Sequence, residues 1–526
     1  MNPNLDGLDQ IATKAFEGYV VRKDLIRPDR STLSGEDAFR FRHILVQESA
    51  YGALPKGMRA TLHERFADWL EETAGDHAEE QGEIIGYHLE QAYRYRQELG
   101  AVTEEHRAIA RRATARLASG GSRAIARSDY PSAVNLLSRA VALLPGDDPA
   151  RVALLPDLAG AFEEAERSSE ADAIWAEAVD GARSLSDDRL LAHALVQRWR
   201  WRLERSEDVE EATRDAAWAM SIFEAAGDDR GMARAWRLRG NIAWEWANQA
   251  GEEEEAVEHA LALARRAGDV YEEFDCFGAL SRTLVRGPTP AQVGIDRCAE
   301  LLTQYANQRA VEAYMHHALA HLNARVGQFD HARAFATQYR DFYRDTGQSV
   351  GFDFVSEVFG DIEMVADDPA AAERVLRQGY DALEARGERR GIHATFLARA
   401  ICGQERWKEA EPFATFAASA AHSVFGPMAN GSLARAWAHQ GRIGEAEALA
   451  REAVAALEET DFLTDRADVL TDFADVLLVA GRPGEAADAL ELALSLYEQK
   501  GDLVTPPRIR AALAAIRPTD ETHPDR

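Results

Sequence analysis

Cysteine is nearly absent from this chain: Cys276, Cys298 and Cys402 stand far apart with no CxxC pair, which excludes a disulfide framework and a zinc knuckle. Lysine is confined to Lys14, Lys23, Lys56, Lys408 and Lys500, so arginine carries almost all the positive charge. No excess of that sign exists. The formal charge is −29, and a field of that sign repels phosphates, so no nucleic-acid partner is expected. No stretch approaches the ~18 uninterrupted apolar residues of a membrane span, and the first residues lack an apolar leader. The expectation is a cytoplasmic protein with no membrane contact. Proline is sparse, at 17 residues, which suits long helices.

Catalytic signatures are missing as well. There is no GxxxxGK[ST] phosphate loop, no GxSxG elbow and no Gly-rich nucleotide loop, and no carboxylate pair stands apart from surface charge. A non-catalytic protein without a cofactor or metal is expected.

What the sequence does contain is a repeat. In GGSRAIARSDYPSAVNLLSRAVALLP, Gly120 to Pro145, Gly121 sits where a first helix approaches a second, Tyr130 and Ala133 open that second helix, Leu137 and Ala140 line its inner face, and Pro145 stops it. The same small residue recurs at Ala133, Ala171, Ala212, Ala256, Ala332, Ala372, Ala410, Ala446 and Ala486, with Val293 filling the gap. The period is about 40 residues, longer than the ~34 of the standard tetratricopeptide repeat. Asp-Asp at 187 and 188, Gly227 to Asp229, Gly268-Asp269 and Gly501-Asp502 mark boundaries between pairs, and Gly251, Gly327, Gly441 and Gly481 mark turns within them. Two prolines in RGPTPAQVG, Arg286 to Gly294, predict a bend. The fold class is therefore all-α: a tetratricopeptide-like α-solenoid of about ten helix pairs behind a small N-terminal segment. The boundaries read as 1–100 for that segment, 101–501 for the repeats, and 502–526 for a capping helix and disordered tail.

Helix positions facing the concave groove are unusually polar: Gln197 and Trp201, Asn241 and Glu245, Arg282, His317 and His321, Glu357 and Asp361, Thr395 and Arg399, and Arg435. Trp201, Asn241, Arg282, His317, His321, Glu357 and Arg399 are the candidate groove-binding residues. The partner they suit is a protein or extended peptide, or a polar small molecule. Tyr314, His317 and His321 share one helix face, but HHALAH lacks the glutamate of HExxH, and hydrogen bonding or packing outweighs metal ligation. The run Arg198 to Arg202, with Trp236, Arg237, Arg239, Trp244 and Trp246, allows stacking on an anion; packing tryptophans with arginines paired to carboxylates is the favoured alternative.

Residues 1–100 do not follow the repeat. Tyr19 to Leu54 reads as a helix end, a hairpin with Phe39 and Phe41 on one side, and a new helix from Ile44. The strings DLIRPD, FRFRH with the following AY..L, R..LHERFADWLE and HLEQAY resemble the end of the winged-helix region of bacterial STAND-type ATPases. The likeness is to the large regulators that join a nucleotide-cyclase domain, an ATPase domain and tetratricopeptide repeats. It implies a relay or packing role for His43 in the module connecting ATPase to repeats. Without a phosphate loop or cyclase domain, neither activity carries over. The chain then reads as the C-terminal part of such a regulator, as a separate gene product or a truncated one, in which the apolar side of Phe39, Phe41 and Leu45 needs a partner. Its expected function is a binding module acting as sensor or scaffold in signal transduction. The alternatives are the regulatory arm of an ATP-dependent regulator or nucleotide cyclase and, more weakly, a DNA-binding transcription regulator.

Overall fold

The computed structural model describes residues 25–29, 38–75, 81–127, 129–203, 208–346, 349–387, 391–420 and 425–516. Two strands open it, β1 (Ile26–Asp29) and β2 (Ala38–Phe41), paired antiparallel with Ile26 opposite Phe41. Three helices follow: α1 (Ile44–Ala53), α2 (Lys56–Ala74) and α3 (Gly82–Leu99). The hairpin and the start of α1 lie where the sequence places them. The side chain of Phe39 lies outside the described residues, as do most of Tyr19 to Ser31 and the tail from Arg517.

From Thr103 onward helices alternate as pairs. They are α4 (Glu104–Ala126) and α5 (Tyr130–Ala142), α6 (Pro149–Glu164) and α7 (Ser168–Leu185), α8 (Asp188–Arg202) and α9 (Val209–Ala226), and α10 (Asp229–Ile242) and α11 (Ala250–Ala267). Next come α12 (Val270–Arg286) and α13 (Ala291–Gln304), α14 (Arg309–Arg325) and α15 (Phe329–Thr346), and α16 (Ser349–Val365) and α17 (Pro369–Ala385). The last are α18 (Gly391–Cys402) and α19 (Trp407–Ala420), α20 (Phe425–His439) and α21 (Ile443–Leu457), α22 (Leu463–Val479) and α23 (Pro483–Lys500), and the single α24 (Thr505–Ile516). This is an all-α, tetratricopeptide-like solenoid. The chain divides into two compact units, 1–177 and 178–526.

The repeat register has a direct physical basis. All nine predicted alanines are at most 2% exposed, because each lies where the second helix of a pair crosses its neighbours too closely for a larger side chain. Gly121 marks the same kind of contact: a Cβ there would meet Leu137 Cγ at 2.7 Å. Val293 does not hold the tenth position, being 55% exposed. Gly294 does, one residue later, where an added Cβ would meet Leu322 Cδ1 at 2.8 Å. The four-residue connection with Pro288 and Pro290 delays the start of α13 and moves the register by one.

Helix ends follow their sequence signals. Asp187, Asp228 and Asp269 accept hydrogen bonds from the first-turn amides of α8, α10 and α12, and Gly227 and Gly268 close the preceding helices in the left-handed conformation. Gly327, Gly441 and Gly481 take positive φ within pairs, as expected. Gly251 does not turn the chain; it lies in the first turn of α11. The turn falls at Asn248, after a π-helical segment, Ala243–Ala247, that continues α10.

Candidate functional site

In the second unit the inner faces of the first helices of the pairs carry the polar residues picked out by sequence, and the side chains are largely engaged with one another. Arg200 on α8 reaches two pairs ahead to Glu272 and Asp275 on α12, at 2.8 and 2.6 Å. Arg286 at the end of α12 spans to Glu357 on α16 at 3.3 Å and to Asp465 on α22 at 2.8 Å. Arg399 on α18 holds Asp468 on α22 at 2.7 Å, and Tyr497 donates to the other oxygen of that carboxylate at 2.5 Å. Contacts that skip whole pairs require a tightly curved inner face.

The candidate residues sit within this network. Asn241 accepts from Arg282, which also pairs with Glu253 and stacks 4.6 Å over the Trp244 ring. His317 Nδ1 lies 2.7 Å from Ser281 Oγ, while His321 Nδ1 lies 2.6 Å from Asp361, whose other oxygen accepts from Arg325. His316 points away and stacks on Phe335. Glu357 accepts from Arg286, Arg399 is paired as above, and Trp201 is half-buried at the end of α8. Gln197 and Thr395 are buried, and Arg435 pairs with Asp475 and Asp472. Burial raises Glu357 and Asp465 above the ordinary carboxylate range and drives His317 well below the usual imidazole range, with the neighbouring His321 and Arg286 adding to the latter. Burial acts in the same direction on Asp361, but Arg325 and His321 outweigh it and hold that carboxyl far below normal. Among the described residues no cluster of three or more His, Cys, Asp or Glu is arranged to hold a metal ion.

Within the arginine and tryptophan run several members pack or pair, while Trp246 is 40% exposed. Trp199 is buried and donates to Asp215 at 2.7 Å, Arg237 binds Asp275 at 3.0 Å, and Trp244 packs edge-on against Phe462 at 4.8 Å. Trp236 stacks on His259 at 4.4 Å and lines a cleft of about 540 Å3 with Met220, Met232 and Leu263. The three cysteine thiols are buried, which pushes all three up, Cys298 and Cys402 to about 12.

Two features escaped sequence reasoning. The first joins the C-terminal pairs to the middle of the unit, across 177 to 216 residues. Lys500 Nζ donates to the carbonyls of Leu284, Gly287 and Thr289 at 2.8, 2.7 and 2.8 Å. Asp461 accepts from the amides of Ala250 and Gly251 at 2.6 and 2.7 Å, capping α11, and Leu503 N donates to Arg325 O at 2.9 Å. The second is how far the apolar surface of the first unit extends beyond the Phe41 and Leu45 that the sequence singles out. Phe41, Ile44, Leu45, Met58, Leu62, Phe66, Ile84, Tyr87 and Leu99 are each at least 39% exposed, and α1 buries none of its residues. Beside them, Tyr51, His63 and His88 form a chain: Tyr51 Oη lies 2.7 Å from His63 Nε2, and His63 Nδ1 lies 2.7 Å from His88 Nδ1.

No protein-family model matches the chain, and no curated protein does. Solved structures with a similar course include the Cut9–Hcn1 hetero-tetramer of the APC/C, at 12% identity over 90% of this chain and 92% of that one, with a TM-score of 0.46. A Rap protein complexed with competence and sporulation factor matches at 13% identity over 71% of this chain and 98% of that one, TM-score 0.41. Yeast Tom70 matches at 11% identity over 88% and 98%, TM-score 0.35. No described helix is long and apolar enough to cross a membrane.

Proposed function

We propose that the chain is a non-catalytic, protein-binding helical-repeat scaffold of the signalling type, and that its N-terminal face docks the partner. One observation carries this reading. Large apolar side chains from Phe41 to Leu99 are exposed on the hairpin, α1, α2 and α3, and a two-stranded hairpin with a helix that buries nothing is marginal in water alone. Elsewhere among the described residues, exposed large apolar side chains are scattered. The resemblance to STAND-type regulators favours the same face, because the matching strings fall on β1, β2, α1, α2 and α3, the module that in such regulators connects ATPase to repeats. On that reading the chain acts as a cytoplasmic regulatory arm.

The inner row of Trp201, Asn241, Arg282, His317, His321, Glu357 and Arg399 supplies a second, polar surface for an extended peptide. Apart from Trp201, its side chains are committed to internal pairs, so binding there exchanges internal hydrogen bonds for ligand ones. Co-purification with the full chain, read by mass spectrometry, provides the partner. Ile44→Asp with Leu45→Asp is expected to abolish its capture with the melting temperature nearly unchanged, since both side chains are already solvated. Capture that persists in this variant overturns the docking face.

A further inference from the structure

Part of the inner face, at Arg286 and Arg399, is bridged by α22 of the chain's own C-terminal pairs, and around that bridge runs a defined seam. On one side lie the start of α11, the end of α12, the connection to α13 and the end of α14; on the other lie the loop before α22, the end of α23 and the loop between α23 and α24. The connection through Gly287, Pro288, Thr289 and Pro290 is the irregular unit of the repeat. Its two prolines contribute no N–H, and its carbonyls, with that of Leu284 at the end of α12, remain to be satisfied. Lys500 satisfies three of them with its three ammonium protons while fully buried. An arginine, planar and longer, does not fill a three-carbonyl cradle from one nitrogen, which accounts for a lysine here in a chain otherwise basic through arginine.

The second contact is of the opposite sign. Asp461 places a carboxylate on the first amides of α11, where the helix dipole favours it, and Gln249 Nε2 donates to Glu459 O at 2.6 Å beside it. The third is Asp502: it caps α24 through the amides of Val504 and Thr505 and faces Arg325 at 3.5 Å. Each contact joins a loop or helix end to another, whereas helices within a pair share apolar cores. Behind these contacts lie a few apolar crossings: Trp244 and Ala250 share a cluster with Leu457 and Phe462, and Val504 packs against the cluster between α14 and α16.

We propose that this seam is an autoinhibitory clasp. Lys500, Asp461 and Asp502 hold the C-terminal pairs over the inner row, and parting of the seam, with the helix pairs left intact, is the motion that makes Arg286, His321, Glu357 and Arg399 reachable. The functional consequence rests on the inner row being a binding surface; the motion itself does not, and is tested without a partner. Hydrogen exchange on the full chain reads it residue by residue. In Lys500→Met the amides of Ala250, Gly251 and Leu503 are expected to exchange at least ten times faster than in the unaltered chain, with α14 to α17 unchanged. A disulfide between Gln249→Cys and Glu459→Cys, added to Lys500→Met, is expected to return those amides to their original rates.

Seam amides that keep their rates in Lys500→Met overturn the clasp. So does loss of protection spread evenly from α8 to α23, which makes the seam part of one indivisible core, and so does a disulfide that fails to restore them. These rates are read on the chain alone, so an inner row that binds no partner leaves them untouched, and the two readings fail separately.

Discussion

A missing methyl group is the tightest constraint on the helix pairs. Gly121 leaves 2.7 Å between an added Cβ and Leu137 Cγ, and Leu137 is fully buried, so Gly121→Ala forces a core side chain off its rotamer. It is expected to destabilise by about 1–3 kcal/mol, although alanine is the better helix former. Gly444, inside α21 with nothing within 4 Å, is the counterpart. There Gly444→Ala is expected to stabilise by roughly 0.5–1 kcal/mol. Urea unfolding of both variants checks the pair, and equal signs contradict the packing argument. This level of the fold was the most legible in the sequence, because a close helix crossing admits only small residues and so repeats visibly. The miss at Val293 has the same logic. A glycine meets the steric need as well as an alanine does, but Gly294 does not stand out in a search for alanines.

At the scale of elements, helix ends were readable from Asp and Gly because a cap is a local contact. The Tyr51, His63 and His88 chain joins three helices and was not. Burial holds His88 down at about 4, with His63 adding to the effect, and burial also lowers His63. Two imidazoles sharing an Nδ1 to Nδ1 hydrogen bond need one nitrogen without a proton, so the geometry agrees with the direction. Arg59, Glu64, Tyr87, Tyr95 and Arg96 are the other titratable groups around the chain; Arg59 lies over Tyr51, and Arg96 binds Glu64. A histidine with a lowered folded pKa binds its proton more readily once unfolded. The stability these two histidines contribute therefore falls as pH drops from about 6.5 toward about 4, and is flat above that window. Exchange of the α1 amides is expected to quicken across this range, and His88→Asn to flatten the dependence. An unchanged slope in that variant assigns the acid response elsewhere. Tyr51→Phe, which removes both hydrogen bonds of the hydroxyl, is expected to quicken α1 exchange at neutral pH, because α1 buries no side chain of its own.

For the second unit taken whole, sequence grouped Asn241, Arg282, His317, His321, Glu357 and Arg399 as groove positions but did not say what they meet. The repeat period sets each helix against its neighbours, while the meeting of α12 with α22 depends on small rotations accumulated over five pairs. Arg286 tests the consequence. It sits between Asp465 and Glu357, both of which burial already pushes up, so Arg286→Met leaves two buried carboxylates facing each other without a cation. The expected loss is about 3–5 kcal/mol at neutral pH, the cost of breaking rather than replacing a buried pair. Asp465→Leu added to Arg286→Met removes one stranded charge, and the double variant is expected to be more stable than Arg286→Met alone by on the order of 1–3 kcal/mol. The pH dependence carries the same sign. An acid with a raised folded pKa stabilises the fold most at low pH and loses that contribution as pH rises through the folded value, so the Arg286→Met deficit shrinks on acidification. A deficit that grows instead means that the carboxylates have found solvent, and that the inner face is open in the resting chain.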